Sequence, residues 1–212
     1  MLDDVRRALQ QPRPGVTAQA LMWPRRLSGD DLPSTDQHGR DAAVLIIVYP
    51  LDGDPYFVLT RRTETVQNHK GQISLPGGAR EGDESLVDTA LREAREEIAV
   101  EPAELDVLGM LTPLYVPVSG YLITPCVAIA ARRPTFRPDP LEVVEIIEAP
   151  LSCLIDPALR QEDDWPVRGA IAHVPYFAIG PHKVWGATAM ILAEFASLLE
   201  AARQCRTQRV QS

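Results

Sequence analysis

Apolar side chains follow two different periods along this chain, and the alternation between them sets out the elements. Residues 43–49 are apolar without interruption, the pattern of a strand buried on both faces. Residues 56–60 repeat that character after Asp52, Gly53, Asp54 and Pro55, turn formers that predict a hairpin. Val87, Ala90, Leu91, Ala94 and Ile98 then recur at spacings of three and four, one apolar stripe of an amphipathic helix. Residues 105–111 and 121–131 read as strands separated by the loop 113–120, and residues 145–148 and 170–177 as two more. A last helix is predicted over residues 185–203, with Ile191, Leu192, Phe195, Leu198 and Leu199 on one face. This order predicts an α/β fold, a mixed β-sheet sandwiched between helices.

Residues 1–40 break the pattern. A short helical start at 5–10 is followed by Pro12, Pro14, Pro24 and Pro33 with polar spacers, which predicts an arm that wraps the domain or contacts a partner subunit in a homodimer. Residues 41–205 form the expected main domain and 206–212 a disordered tail. The 212 residues suit one domain with a substantial core, and 45% hydrophobic with 24% charged content is ordinary for a globular chain. A net charge of -8 argues against a nucleic-acid surface, which needs clustered Lys and Arg. Cys126, Cys153 and Cys205 are too widely spaced to suggest a disulfide framework or a zinc site. No stretch reaches about 18 apolar residues and no signal-peptide run is present, so the expectation is a cytoplasmic protein with no membrane contact.

The predicted helix over 87–98 carries Glu93, Glu96 and Glu97. At about 100° per residue these span an arc of roughly 100°, expected opposite the apolar stripe, where their oxygens can converge. Between residues 81 and 97, Glu81, Asp83, Glu84, Asp88, Glu93, Glu96 and Glu97 stand against Arg92 and Arg95 only, a repulsion that a bound cation would relieve. Upstream, Pro76, Gly77 and Gly78 predict a loop whose backbone approaches a ligand closely and offers a carbonyl. Hard oxygen ligands without His or Cys nearby point to Mg²⁺ or Mn²⁺, ions that polarise phosphoryl oxygens and activate water. A Glu/Arg-rich helix face is commonly just a solvated surface. Here the glycine pair, the isolated Glu84 and the Arg-Glu-x-x-Glu-Glu cluster occur together.

That combination, Gly78, five residues, Glu84, seven residues, then Arg92-Glu93-Ala94-Arg95-Glu96-Glu97-Ile98-Ala99-Val100, resembles the Nudix box. One position departs, Ala99 standing where the family has a second glycine, which predicts a slightly different exit from the helix. The resemblance implies a Nudix-type α/β/α sandwich. It implies metal-binding and catalytic roles for Glu93, Glu96 and Glu97, a ligating carbonyl at Gly78, substrate approach at Gly77 and Gly78, and bracing by Glu84 and Arg92. Leu59-Thr60-Arg61-Arg62-Thr63 with residues 71–78, and Val184-Trp185-Gly186-Ala187-Thr188-Ala189, are similar to segments of the coenzyme A diphosphatases of that family. Gln67, Leu75 and Glu81 differ from that upstream motif.

The implied activity is metal-dependent hydrolysis of a nucleoside diphosphate linked to another moiety, coenzyme A or a derivative being favoured over ADP-ribose or a nucleotide sugar. A non-catalytic nucleotide-binding module is the rival from another class, against which the intact acid set argues. The partner is a small-molecule nucleotide. Arg62 matches the family's arginine and is the candidate phosphate ligand; Glu142 and Glu145 are candidates for a further acid. His69 and the tyrosines Tyr115 and Tyr121 offer position only, and Trp185 reads as packing rather than as a base-stacking platform.

Overall fold

The computed structural model describes residues 2–26, 39–63, 72–167 and 170–210. In chain order the elements are α1 (Leu2–Ala8), α2 (Val16–Gln19), β1 (Arg25–Arg26), β2 (Arg40–Leu51), β3 (Asp54–Arg62), β4 (Ile73–Ser74), β5 (Gly77–Ala79) and α3 (Leu86–Ile98). They continue as β6 (Leu105–Met110), β7 (Leu114–Val116), β8 (Tyr121–Ala130), β9 (Val143–Pro150), β10 (Arg160–Val167), β11 (Ala170–Ile179), β12 (His182–Trp185) and α4 (Gly186–Val210).

The uninterrupted apolar run of β2 is explained by its place at the centre of an eight-stranded mixed sheet, parallel to β8 and antiparallel to β3. Ile46 and Val48 enter a core shared with Ile191, Leu192, Phe195 and Leu198 of α4, whereas Ala43, Leu45, Ile47 and Tyr49 enter a second core with Ala90, Ala94 and Ile98 of α3. Alternate residues of one strand thus face opposite helical layers, and neither face could be polar. The β2–β3 hairpin turns at Asp52 and Gly53, both with positive φ, the backbone that a tight Asp-Gly turn adopts. Fully burying a side chain such as Ile98 contributes about 1.5–3 kcal/mol, so the stripe fixes α3 against this sheet.

Two features depart from the sequence expectations. Gly77 to Ala79 form a short strand rather than a loop, paired antiparallel with Ala42, Ala43 and Val44 of β2. A second, four-stranded sheet of β1, β10, β11 and β12 lies outside the predicted architecture. Its strand β10 includes Glu162, Asp163, Asp164 and Pro166, so it carries no apolar alternation; such charge and proline suit an edge strand, held by backbone pairing to β11. Trp185 packs edge-on against Trp165 at 5.8 Å, and Lys183 sits over Trp165 and Tyr176. In the arm, Val5, Ala8 and Met22 are fully buried in the α4-side core. Helix α4 runs on to Val210, into the segment expected as a tail. No helix among the described residues is long and apolar enough to cross a membrane.

Candidate active site

Helix α3 begins at Ser85, whose side chain accepts from the Asp88 N–H, an N-cap of the usual kind. It ends at Ala99, which itself takes the left-handed conformation, φ 59° and ψ 29°, with its N–H bonded to the Arg95 carbonyl. The exit geometry is therefore the one a glycine would give, reached by an alanine at a cost of about 1 kcal/mol. The box glycine is replaced without rerouting the chain.

The three box acids do not share one solvated face. Glu97 follows Ala90 by seven positions, about 20° short of two full turns, so it shares the side of the apolar stripe rather than lying opposite it. The side chains are accordingly graded in exposure, 3% for Glu97, 15% for Glu93 and 59% for Glu96. Burial pushes the Glu97 carboxyl up to about 8, against the opposing pull of Arg62, and burial likewise raises Glu93.

Arg92 is the hub of the first half of the site. It donates to both oxygens of Glu84 (2.8 and 3.1 Å), to Glu93 (2.8 Å), to Glu96 (3.0 Å) and to the Ala79 carbonyl (3.0 Å). Five donors are used, so helix, preceding turn and β5 are tied at one point. The Arg92 hydrogen bond holds the Glu84 carboxyl down at about 2. Thr89 Oγ1 adds a bond to Glu84 at 2.9 Å, a contact that no motif announces.

Arg62 organises the second half. Its Nη1 donates to Glu97 Oε1 at 3.2 Å and its Nη2 to Glu142 Oε2 at 3.4 Å. The Gly77 N–H donates to the other Glu97 oxygen at 3.3 Å. The glycine pair is sterically required: a Cβ on Gly77 would lie 2.3 Å from the Ala43 carbonyl oxygen, and one on Gly78 would lie 2.4 Å from the Glu93 carboxylate. The β5 backbone thus approaches both β2 and the acids more closely than any side chain would permit.

Of the two candidates for a further acid, Glu142 reaches this group through Arg62, whereas Glu145 pairs with Arg61 at 2.7 Å and with His182 at 3.4 Å. A register shift between Arg61 and Arg62 accompanies this parting of neighbours. The Arg61–Glu145–His182 link between the two sheets was not foreseen, because its members are far apart in sequence and form no motif. Gln67, His69 and Gly71 lie outside the described residues. Tyr121 lies under the Arg40 guanidinium at 4.4 Å.

Among the described residues no three acidic, His or Cys side chains gather into one group able to hold a metal ion, so the expected convergence of Glu93, Glu96 and Glu97 is not present as these side chains stand. Their oxygens are held by arginines instead. The donor chemistry still fits a hard divalent cation: Glu93 lies against Gly78 and Glu97 against Gly77.

A NUDIX domain model matches residues 39–149, which run from β2 into β9 and include Arg62, Gly77, Gly78, Glu84, Arg92, Glu93, Glu96, Glu97, Glu142 and Glu145. An uncharacterized Nudix hydrolase NudL of Pectobacterium atrosepticum is 40% identical over 164 residues, 74% of this chain and 81% of that protein. Human mitochondrial coenzyme A diphosphatase NUDT8 is 35% identical over 185 residues, 85% of this chain and 78% of that protein. Among solved structures, a Nudix hydrolase from M. smegmatis, RenU, superposes with a TM-score of 0.52 at 19% identity, covering 86% of this chain and 94% of that one; this likeness speaks to the fold alone. With the domain matched over more than half its length, the chain belongs to the Nudix hydrolase family and is an enzyme of that family.

Proposed function

We propose that this enzyme hydrolyses the diphosphate of coenzyme A or a derivative, giving 3′,5′-ADP and 4′-phosphopantetheine. The observation that carries the reading is the meeting of Arg62 with Glu97 at the Gly77 N–H. It joins the segment resembling coenzyme A diphosphatases, to which Arg62 belongs, with the acids of the box. The human relative bearing the coenzyme A diphosphatase name adds to it.

Glu93, Glu96, Glu97 and the Gly78 carbonyl would hold Mg²⁺ or Mn²⁺, which when bound supply polarised phosphoryl oxygens and a more acidic water. Arg62 meets the non-bridging oxygens of the diphosphate, a role that suits its planar donor fork. Arg92 keeps Glu93 and Glu96 in position. Water attacks one phosphorus, the bridging P–O bond breaks, and a carboxylate of the set formed by the box acids and Glu142 accepts the proton of the water.

Turnover of coenzyme A, ADP-ribose and dinucleotides, followed by chromatography of the products with Mg²⁺ or Mn²⁺ present, tests the proposal. Coenzyme A should show the highest kcat/KM. A preference for ADP-ribose, the reading that the neutral Gln67 favours, would overturn the substrate while leaving the reaction class intact.

A further inference from the structure

The arginines that brace the framework grip their carboxylates tightly: Arg61 holds Glu145 at 2.7 Å, Arg92 holds Glu84 at 2.8 Å and Arg133 holds Glu148 at 2.6 Å. These are lengths of strong charge-assisted bonds. Arg62 differs. Its two nitrogens are divided between two carboxylates at 3.2 and 3.4 Å, and it is the one cation whose ion pair with Glu97 appears among the described residues. Glu97 is almost wholly buried and Glu142 nearly half exposed. In its ionised form a carboxylate buried this deeply needs a cation beside it, and the pair that supplies one is loosely made.

We propose that Arg62 is the resident counter-ion of Glu97 and exchanges that carboxylate for a divalent cation. A cation arriving at Glu97 Oε1 and the guanidinium Nη1 are alternative partners for the same oxygen. Arg62 need not leave, because Nη2 already rests on Glu142: the exchange is a short swing of the guanidinium that keeps one carboxylate and frees Nη1 for a substrate phosphate. Arg62 is then a positioning residue that couples occupation of the acid cluster to the opening of a phosphate-binding donor. This inference rests on the proposed metal-dependent function and adds a competition to it.

The test is Mn²⁺ titration without substrate, free Mn²⁺ being read by electron paramagnetic resonance, for wild type, Arg62→Met and Arg61→Met. Arg61 lies next in sequence but pairs with Glu145, so Arg61→Met reports the general effect of removing a positive charge. Loss of the competitor should tighten Mn²⁺ binding on the order of tenfold in Arg62→Met, while Arg61→Met changes it by no more than about twofold because that charge is paired with Glu145 and screened by solvent. Should Arg62→Met not fold in chelator, Arg62→Gln, which keeps a donor for Glu97, carries the same affinity comparison. Equal or weaker Mn²⁺ binding by the Arg62 variants than by wild type, or equal tightening in Arg61→Met, would overturn the exchange while leaving metal dependence standing. Absence of Mn²⁺ binding by wild type would overturn the functional reading itself.

Discussion

Helix α3 takes part in two arginine–carboxylate assemblies of different character. At the first, Arg92 spends all five donors on Glu84, Glu93, Glu96 and the Ala79 carbonyl, and the Glu84 carboxyl falls to about 2. At the second, Arg62 makes two long contacts to Glu97 and Glu142, and Glu97, deep in the structure, rises to about 8. With every donor in use, the Arg92 guanidinium has none left for a ligand and serves as a brace. A buried carboxylate raised by desolvation, beside a loosely held cation, is poised for chemistry, in keeping with the general association of perturbed carboxylates with active sites.

If the contrast is right, the largest effect on turnover comes from the second assembly. Glu97→Gln should lower kcat on the order of 10²-fold or more with the fold retained, because an amide of the same shape removes charge where the cation must sit. Steady-state kinetics with circular dichroism of the variant checks both halves.

Arg92→Ala should act chiefly on stability. Removing the hub leaves Glu84, Glu93 and the Ala79 carbonyl without their shared partner, and a loss of about 2–4 kcal/mol is expected, together with lower activity as the acids lose their positions. Urea unfolding measures it; an unchanged midpoint would deny Arg92 its bracing role.

A subtler difference lies in pH. Glu97 has a folded value near 8 against an unfolded value near 4.3, so the native state binds the extra proton between them. Its contribution to stability is whole below the unfolded value and is lost as pH rises through 8. In chelator, the wild-type melting temperature should fall by about 10 °C relative to Glu97→Gln between pH 5 and pH 8.5. Parallel melting curves for the two proteins would contradict the buried, proton-holding carboxylate.

The smallest effect belongs to the helix exit. Ala99→Gly should stabilise by about 0.5–1 kcal/mol, since φ near 59° strains alanine and not glycine, and kcat should stay within about twofold because Ala99 contributes no side chain to the acid cluster.

These contrasts also mark what a sequence can and cannot disclose. The central hairpin, α3 and α4 were legible because their apolar residues repeat at the period of the element they form. The box residues were legible because their spacing is itself the geometry of a turn and a helix. The depth of Glu97 was only half legible: its place on the helical wheel follows from counting, but its burial needs β5 above it and Arg62 beside it, contacts made across 20 and 35 residues. The second sheet was largely hidden, since β10 is held by backbone pairing and carries an edge strand's charges. The Arg61–Glu145–His182 link shows no local pattern at all.

The central claim, that these acids work through a divalent cation on a diphosphate, is tested most directly by incubating the wild-type enzyme with coenzyme A in excess chelator and then restoring Mg²⁺ or Mn²⁺. Turnover should disappear with the chelator and return with the ion, yielding 3′,5′-ADP and 4′-phosphopantetheine, because without the ion nothing polarises the phosphoryl oxygens or activates the water. Undiminished hydrolysis in the chelator would contradict it.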